Sequence, residues 1–508
     1  MFDASSRPPT PLPLRGVIAF IAVYFLAWVC LPPLLGQSFA LDVVESLSWG
    51  QEWQWGYYKH PPLAPVVLNV FYEALGPWGP YVLSQLCIAA TLWMVWCMGC
   101  RLMDRPRALL GTVLTMGVTY YSFPTIEFNH NIAQMPLWAA LGYVFVLCIQ
   151  ENKLRQWAVL GVLAGLSLLT KYPMGVLLLT FLLYLLVSAT HRKLLLRPGP
   201  WLALVLMLLV FAPHALWLKA SGGLPFVYAS ARAVAHEDSP RLQALAFPVT
   251  QLLAHLPLLC VLGWALWRTR KQAAAQPPSP RGWQLHAREP LLLVVLALVP
   301  ALIVTLLGVV LGVRLRDMWG SSMWAFSGLL CVALLAPARV QFIQPKVLRG
   351  MAVWLTLVTL FLVVYLSWGA QIRQRAARMD WPAAAMALQA DQTWQQHSTC
   401  RLDTVAGDYW LAGIVSAYSP SRPSVLIDAD PRFSPWVDAG RLESHGALWM
   451  WLPTEAAPVP PEPLASMPVG EGGLQVQEGI WHIAWPHAPA TQSLTLHWRT
   501  YVPARCVP

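Results

Sequence analysis

Apolar residues run in long stretches from Val17 to Leu366, parted by short polar or basic segments. A hydrocarbon core of roughly 30 Å takes about 20 such residues as a helix, and only helices and closed barrels satisfy their own backbone there. The pattern predicts about eleven spanning helices, near residues 15–35, 80–100, 107–122, 132–150, 156–170, 173–190, 200–219, 245–267, 290–312, 318–336 and 350–369. The runs at 156–170 and 173–190 are short and nearly abut, as a kinked or re-entrant pair would. Past residue 370 the chain turns charged and Pro-rich. Leu402–Ala406, Val425–Asp428, Leu448–Leu452, Ile480–Trp485 and Ser493–Trp498 read as strands, and Tyr409–Tyr418 reads as a helix. The prediction is an α-helical polytopic membrane domain over residues 1–370 and a small α/β domain over 371–508. Pro453–Pro468 reads as a loop within the latter, and 272–290 as a flexible cytoplasmic loop. No internal repeat of the kind seen in transporters with two similar halves is visible.

Composition agrees. The chain has 508 residues, 57% of them hydrophobic and 11% charged, against about 25% charged in soluble domains. Its net charge of +10 is not a nucleic-acid footprint, because the basic residues sit in short loops between apolar runs. Arg101, Arg105, Arg107, Lys153, Arg155, Arg192, Lys193, Arg197, Arg268, Arg270, Lys271, Arg339, Lys346 and Arg349 crowd one set of loops. The opposite set is sparser. The positive-inside rule then places the N-terminus in the cytoplasm, and the segment after the first span and everything past 370 outside. The first apolar run lacks a small-residue cleavage site and reads as a first transmembrane helix. Seven cysteines lie in or beside apolar runs; Cys400 and Cys506 fall near the two ends of the outer domain, where an oxidising compartment would let them pair. Cys97-x-x-Cys100 has no partner cluster, and metal or redox chemistry is not expected there.

The outward segment Asp42–Leu63, DVVESLSWGQEWQWGYYKHPPL, is too polar to face lipid and too aromatic for an idle linker. Asp42 and Glu45 are three apart, so one helical turn puts both on one face. A carboxylate at a dry interface could act as a base; a solvated loop acid is the plain alternative. Tyr57 and Tyr58 precede Lys59 and His60, which Pro61-Pro62 hold extended. Two rigidly displayed cations suit a phosphate, with lysine snorkelling and a structural histidine as the alternative. Glu127, Asn129, His130 and Asn131 make a second outward cluster, or a bare interfacial turn. Lys171 interrupts two apolar runs and needs a lipid phosphate or a protein carboxylate as partner. Tyr228 and Arg232 lie at helical spacing after the Gly222-Gly223 hinge in a loop long enough for a lid, and His236-Glu237-Asp238 follow. Arg314 and Arg316 are outward arginines that point to anionic ligands, unless two spans are misplaced.

These residues resemble a family. The Asp42–Leu63 segment is similar to the first outer loop of GT-C glycosyltransferases, in the bacterial branch related to protein O-mannosyltransferases and the lipid A aminoarabinose transferase. That branch carries an Asp-Glu pair and then Trp-Gly-Tyr-Tyr-Asp-His-Pro-Pro. Aligned on His60, the first acid falls on Asp42, the second on Val43, and the later Asp on Lys59. The acid before the fourth span falls on Asn131, with Trp138 in register. Lys171-Tyr172 and Pro213–Leu218 match as well. The resemblance covers residues 15–330 and implies a GT-C fold with an outer C-terminal domain. It implies a polyprenyl phosphate sugar donor such as undecaprenyl phosphate-linked hexosamine or aminoarabinose, an anionic lipid or glycan acceptor such as a lipid A phosphate, and inverting displacement. Asp42 would be the catalytic carboxylate, with Lys59, His60, Lys171 and Arg232 stabilising the leaving phosphate. The two missing acids argue against a metal cofactor, and none is expected. Other acceptors (O-antigen, another surface glycan, a protein) fit the same donor chemistry. A lipid or sugar transporter is the reading from another class, disfavoured because the polar residues gather outside rather than at the midplane.

Overall fold

The computed structural model describes residues 14–234, 240–274, 288–428, 430–453, 462–465, 469, 473–486 and 493–507. It divides into two compact units, each made of two stretches of chain: Met1–Val29 with Val82–Phe361, and Cys30–Tyr81 with Leu362–Pro508. The last long helix, Pro337–Arg373, ends where the sequence pattern changes. The unit holding the tail also takes in the Asp42–Leu63 segment.

Among the described residues six helices are long and apolar enough to cross a membrane: Arg15–Leu35, Leu63–Leu102, His130–Glu151, Pro198–Ala220, Leu291–Leu311 and Arg339–Arg373. Gln243–Ala254 and Leu256–Arg268 form a seventh as a pair bent by 46°. Pro257 explains the break, since it disfavours a helical residue before it and donates no hydrogen bond. The Leu258 amide, at the start of the second half, donates to the Gly117 carbonyl at 3.1 Å. A Cβ on Gly117 would stand 2.9 Å from Leu258 Cα, so this contact needs glycine.

The other four expected spans are shorter than the apolar pattern suggested. Leu154–Leu168 and Met174–Val187 are separate apolar helices flanking Lys171. In the runs near 107–122 and 318–336 only Arg105–Thr115 and Ser327–Ala333 are α-helical, with short 3-10 turns at Thr119–Tyr121 and Asp317–Gly320. These two short helices cross at backbone contact: a Cβ on Gly328 would lie 2.0 Å from the Gly111 carbonyl oxygen. Small residues at helix crossings permit such approach in membrane proteins. The count of eleven is therefore not reached by helices of spanning length.

In the second unit, β1 (Thr404–Gly407), β2 (Ser424–Ile427), β3 (Ala447–Trp451), β4 (Leu474–Ala484) and β5 (Ser493–Pro503) form one sheet in the order β2-β1-β3-β5-β4. The first three are parallel, and β5 runs antiparallel to both β3 and β4. The short, fully buried parallel strands read as continuous apolar runs for that reason. The Tyr409–Tyr418 helix links β1 to β2 at the bounds the sequence predicted, capped by the Asp408 carboxylate on the Trp410 amide at 2.8 Å. Gly413 lets this helix close on the Leu41–Gly50 helix, where a Cβ would sit 2.6 Å from Val44 Cγ1. Ala406, Leu426, Leu442, Trp449 and Tyr501 pack on one face of the sheet. Cys400 and Cys506 are disulfide-bonded, with Cα atoms 5.3 Å apart. The expected loops at 272–290 and Pro453–Pro468 lie outside the described residues, apart from the ends of two flanking helices and the short helix Glu462–Ala465.

Candidate functional site

Each unit carries one cluster. In the second unit, the Leu41–Gly50 helix opens with Asp42 in its first turn, where the helix dipole favours a carboxylate. Glu45 follows on the same face and is buried. Its carboxylate accepts from the Lys59 ammonium and, at 3.2 Å, from the Tyr58 hydroxyl. Burial pushes the Glu45 carboxyl above its ordinary range; Lys59 opposes this and Asp42 adds to it. The sequence reading of Lys59 as a displayed cation is thus refined, because part of its charge is answered by Glu45.

The aromatic residues of the segment form the walls. Trp49 stacks on Tyr57 at 5.5 Å and meets Tyr58 edge-on at 5.6 Å. His60 meets Trp49 at 6.2 Å. Two reciprocal backbone bonds, Tyr57 amide to His60 carbonyl at 3.0 Å and the reverse at 3.2 Å, close the turn that carries Lys59. Tyr58 stacks on Phe433 at 4.3 Å, and the Lys59 ammonium stands 4.4 Å from the centre of the Tyr409 ring. Glu52 belongs to a different group at the start of β2, where burial pushes it up while Ser424 and Arg441 oppose.

Three residues the sequence reading did not single out complete this cluster. Asp408 and Tyr409 follow β1, and Asp428 follows β2 with φ 51°. Asp428 is open to solvent on one side but crowded by protein on the other. That crowding, with Asp408 adding, pushes its carboxyl up to about 6; the Tyr409 amide and Lys59 hold it back. The readable signal was an acid directly after each of two adjacent parallel strands, at the edge where open α/β sheets place function.

In the first unit, Asn129 caps the His130–Glu151 helix, its side-chain oxygen accepting from the amides of Asn131 at 2.9 Å and Ile132 at 3.2 Å. That is a structural role. Asn131 and Lys171 are both buried, and the Lys171 ammonium donates to the Asn131 amide oxygen. The expected partner of Lys171 was a carboxylate or a phosphate; the structure places a neutral amide oxygen against its ammonium. Beside it the Tyr172 hydroxyl and His214 Nε2 lie 3.0 Å apart, joining two stretches that the family resemblance had matched separately. Tyr172 also stacks on Phe226 at 5.2 Å, at the base of the Leu224–Val234 helix. Tyr228 and Arg232 lie one turn apart on that helix, and the Arg232 side chain and His236-Glu237-Asp238 are outside the described residues. His130 is buried and Glu127 partly so. Arg314 and Arg316 are exposed, and the structure brings neither to Lys171 through any described contact. Among the described residues no three His, Cys, Asp or Glu groups are placed to hold a metal ion.

Residues 59–217 match the family model described as dolichyl-phosphate-mannose-protein mannosyltransferase. The lipopolysaccharide core galacturonosyltransferase RgtB of Rhizobium johnstonii is 23% identical over 253 residues, 47% of this chain and 49% of RgtB, so the match spans about half of that relative. ArnT from Cupriavidus metallidurans, solved bound to undecaprenyl phosphate, shares the fold with a TM-score of 0.64 at 14% identity, over 98% of this chain and 100% of that one. Its apo form gives 0.57 over 97% and 99%, again at 14% identity. Over residues 59–217 the chain resembles that mannosyltransferase family, and over nearly its whole length it has the polytopic helical membrane fold of ArnT. It is similar to RgtB in sequence over about half its length and to ArnT in fold.

Proposed function

We propose that the protein moves a sugar from undecaprenyl phosphate to an envelope acceptor, with a lipid A phosphate as the leading candidate, on the periplasmic side of a bacterial inner membrane. The observation that carries this reading is the Asp42–Glu45–Lys59 constellation on the outward segment, in a fold shared with a protein solved with undecaprenyl phosphate. The contrast between loops rich and poor in arginine and lysine supports the orientation, and the Cys400–Cys506 disulfide supports an oxidising compartment for the tail.

In this reading Asp42 orients the acceptor oxygen and takes its proton. The oxygen attacks the anomeric carbon from the face opposite the phosphate, the carbon–oxygen bond to phosphate breaks, and the configuration inverts. Undecaprenyl phosphate leaves with an added negative charge. Lys59 and His60 stabilise that charge electrostatically. Lys171 and Arg232 are separate candidates for an anionic group of either lipid. No metal is required: Val43 replaces one acid of the family pattern, Asn131 another, and Lys59 occupies Glu45. Retained turnover in excess EDTA checks this. The carboxylates around Lys59 (Asp42, Glu45, Asp408, Asp428) favour a cationic amino sugar over a uronic acid. A second acceptor reading, a sugar of the lipopolysaccharide core, is favoured by the likeness to RgtB. Transfer to O-antigen, another glycan or protein stands behind these, and transport of a lipid or sugar last.

The test is mass spectrometry of lipid A and core oligosaccharide from cells with the wild-type gene, with Asp42→Asn, and without the gene. A phosphate-linked sugar on lipid A with wild type alone supports the proposal, and Asn is expected to lower product by at least about 100-fold. Addition to the core instead would move the acceptor there. No difference in either fraction would overturn both readings.

A further inference from the structure

A lysine stem has four rotatable bonds, so an ammonium that acts on a developing charge must be held in place by its surroundings. Glu45 holds Lys59 from one direction. Two rings hold it from others, Tyr58 with its centre 5.0 Å from the ammonium and Tyr409 at 4.4 Å. Tyr58 is the chain neighbour of Lys59. Tyr409 comes from the C-terminal stretch of the same unit and is its nearer aromatic face.

The placement of Tyr409 is heavily determined. It opens the helix that follows β1, between Gly407 and the buried Trp410. Gly407 has φ 148°, and a Cβ there would lie 2.5 Å from the Met450 carbonyl oxygen of β3. Asp408 caps the helix on the next residue but one, at 2.8 Å. Arg378 lies over the Trp410 ring at 4.7 Å, which closes the far side. β1 is flanked by β2 on one side and β3 on the other, so Tyr409 stands at the carboxyl end of the strand where the chain order reverses. Open α/β sheets hold ligands at that point. Here the Lys59 side chain occupies it.

We propose that Tyr409 is a positioning residue, whose ring fixes the Lys59 ammonium where the departing phosphate gains its charge. This rests on the role given to Lys59 above. The outer domain would then act on the transfer step itself, through the face of one ring. Only the ring is needed for this, so Phe serves and an aliphatic residue of similar size does not.

The experiment uses the full-length protein in lipid nanodiscs, with kcat and KM measured for an undecaprenyl phosphate sugar. Tyr409→Phe is expected to keep turnover within about twofold, and Tyr409→Leu to lower it by roughly 3- to 30-fold, the span of a cation–π contact. In a Lys59→Ala background Tyr409→Leu should cost nothing more, because two residues acting through one contact are not additive. An equal loss in both backgrounds, or an equal loss for Phe and Leu, overturns the proposal and marks Tyr409 as structural. Full activity of Lys59→Ala overturns the role of Lys59 first, and this inference with it. If the Leu variant does not fold, fluorinated phenylalanines at 409 keep the shape and drain the ring face. Activity falling with each fluorine supports the proposal, and a flat series overturns it.

Discussion

The Glu45 carboxylate and the Lys59 ammonium form an ion pair from which water is nearly excluded, with side-chain exposures of 9% and 11%. Removing one partner of such a pair leaves an uncompensated buried charge and costs about 3–5 kcal/mol, whereas replacing both with apolar residues of similar volume is close to neutral. Lys59→Met is therefore expected to lower the unfolding midpoint strongly, and Glu45→Leu with Lys59→Met to recover most of the loss while staying inactive. Thermal unfolding of the single and double variants gives the answer. Additive losses would mean that the two side chains are not a pair in the folded protein.

Asn131 gives a contrasting case. Its amide oxygen accepts from the buried Lys171 ammonium, and a hydrogen bond to a charged group contributes about 1.5–3 kcal/mol. Asn131→Leu should lose that amount. Asn131→Asp keeps an acceptor oxygen and restores the acid of the family pattern, so it should fold at least as well as wild type. The Asp variant should be less active than wild type, because an added carboxylate beside Lys171 repels the anionic substrate of the proposed reaction. Chemical denaturation and turnover of both variants test this. Higher activity in the Asp variant would show that Lys171 acts as half of an ion pair.

The two clusters differ in how much of them was legible in the chain. Asp42, Glu45 and Lys59 could be named because helical spacing and a Pro-Pro turn are local features. Their pairing could not, since the turn at Tyr57–His60 decides where the lysine points. Tyr409 and Asp428 were read only as the start of a helix and the end of a strand, and what gathers them is a parallel register, Gly407 beside Ile427. In the membrane-embedded part, apolar runs revealed the long helices but overran at 107–122 and 318–336. Gly111 and Gly328 there bring two helices to backbone contact, and Gly117 stops one of them by meeting Leu258. Hydropathy records that such a run avoids water. It does not record whether the run stays helical, which at these positions is settled by the approach of a distant backbone.

The Cys400–Cys506 bond ties residues 106 apart, at the two ends of the C-terminal α/β fold. Closing a loop of that size restricts the unfolded chain, and losing such a bridge typically costs about 2–5 kcal/mol. Cys400→Ser should lower the unfolding midpoint of the purified protein, and a reducing agent should shift wild type to the same value while leaving the variant unmoved. Unequal midpoints after reduction would indicate that serine disturbs the site by itself. Mass spectrometry of protein taken directly from cells should find the pair oxidised if the tail lies in the periplasm, and two free thiols would place it in a reducing compartment.

Asp428 carries a pH dependence whose sign follows from its surroundings. Crowding by protein, with Asp408 adding, moves its carboxyl from 3.8 to about 6. Well below the ordinary value both folded and unfolded chains hold the proton, and the group costs nothing. Between the two values the folded chain holds a proton that the unfolded chain has released, so stability falls as pH rises through this window. Above about 6 the folded chain carries the buried side of an ionised carboxylate and the cost is complete. Asp428→Asn removes the charge and keeps a residue that accepts the positive φ of 51°. Its gain in unfolding midpoint over wild type should be slight at pH 4 and larger at pH 7.5, with the size reduced by the solvent on the open side of the group. The measurement is a pair of melting curves at each pH in the same nanodiscs. An equal gain at both values would mean that Asn acts through packing, and a loss at pH 7.5 would mean that ionised Asp428 stabilises the fold through Lys59 more than its burial costs.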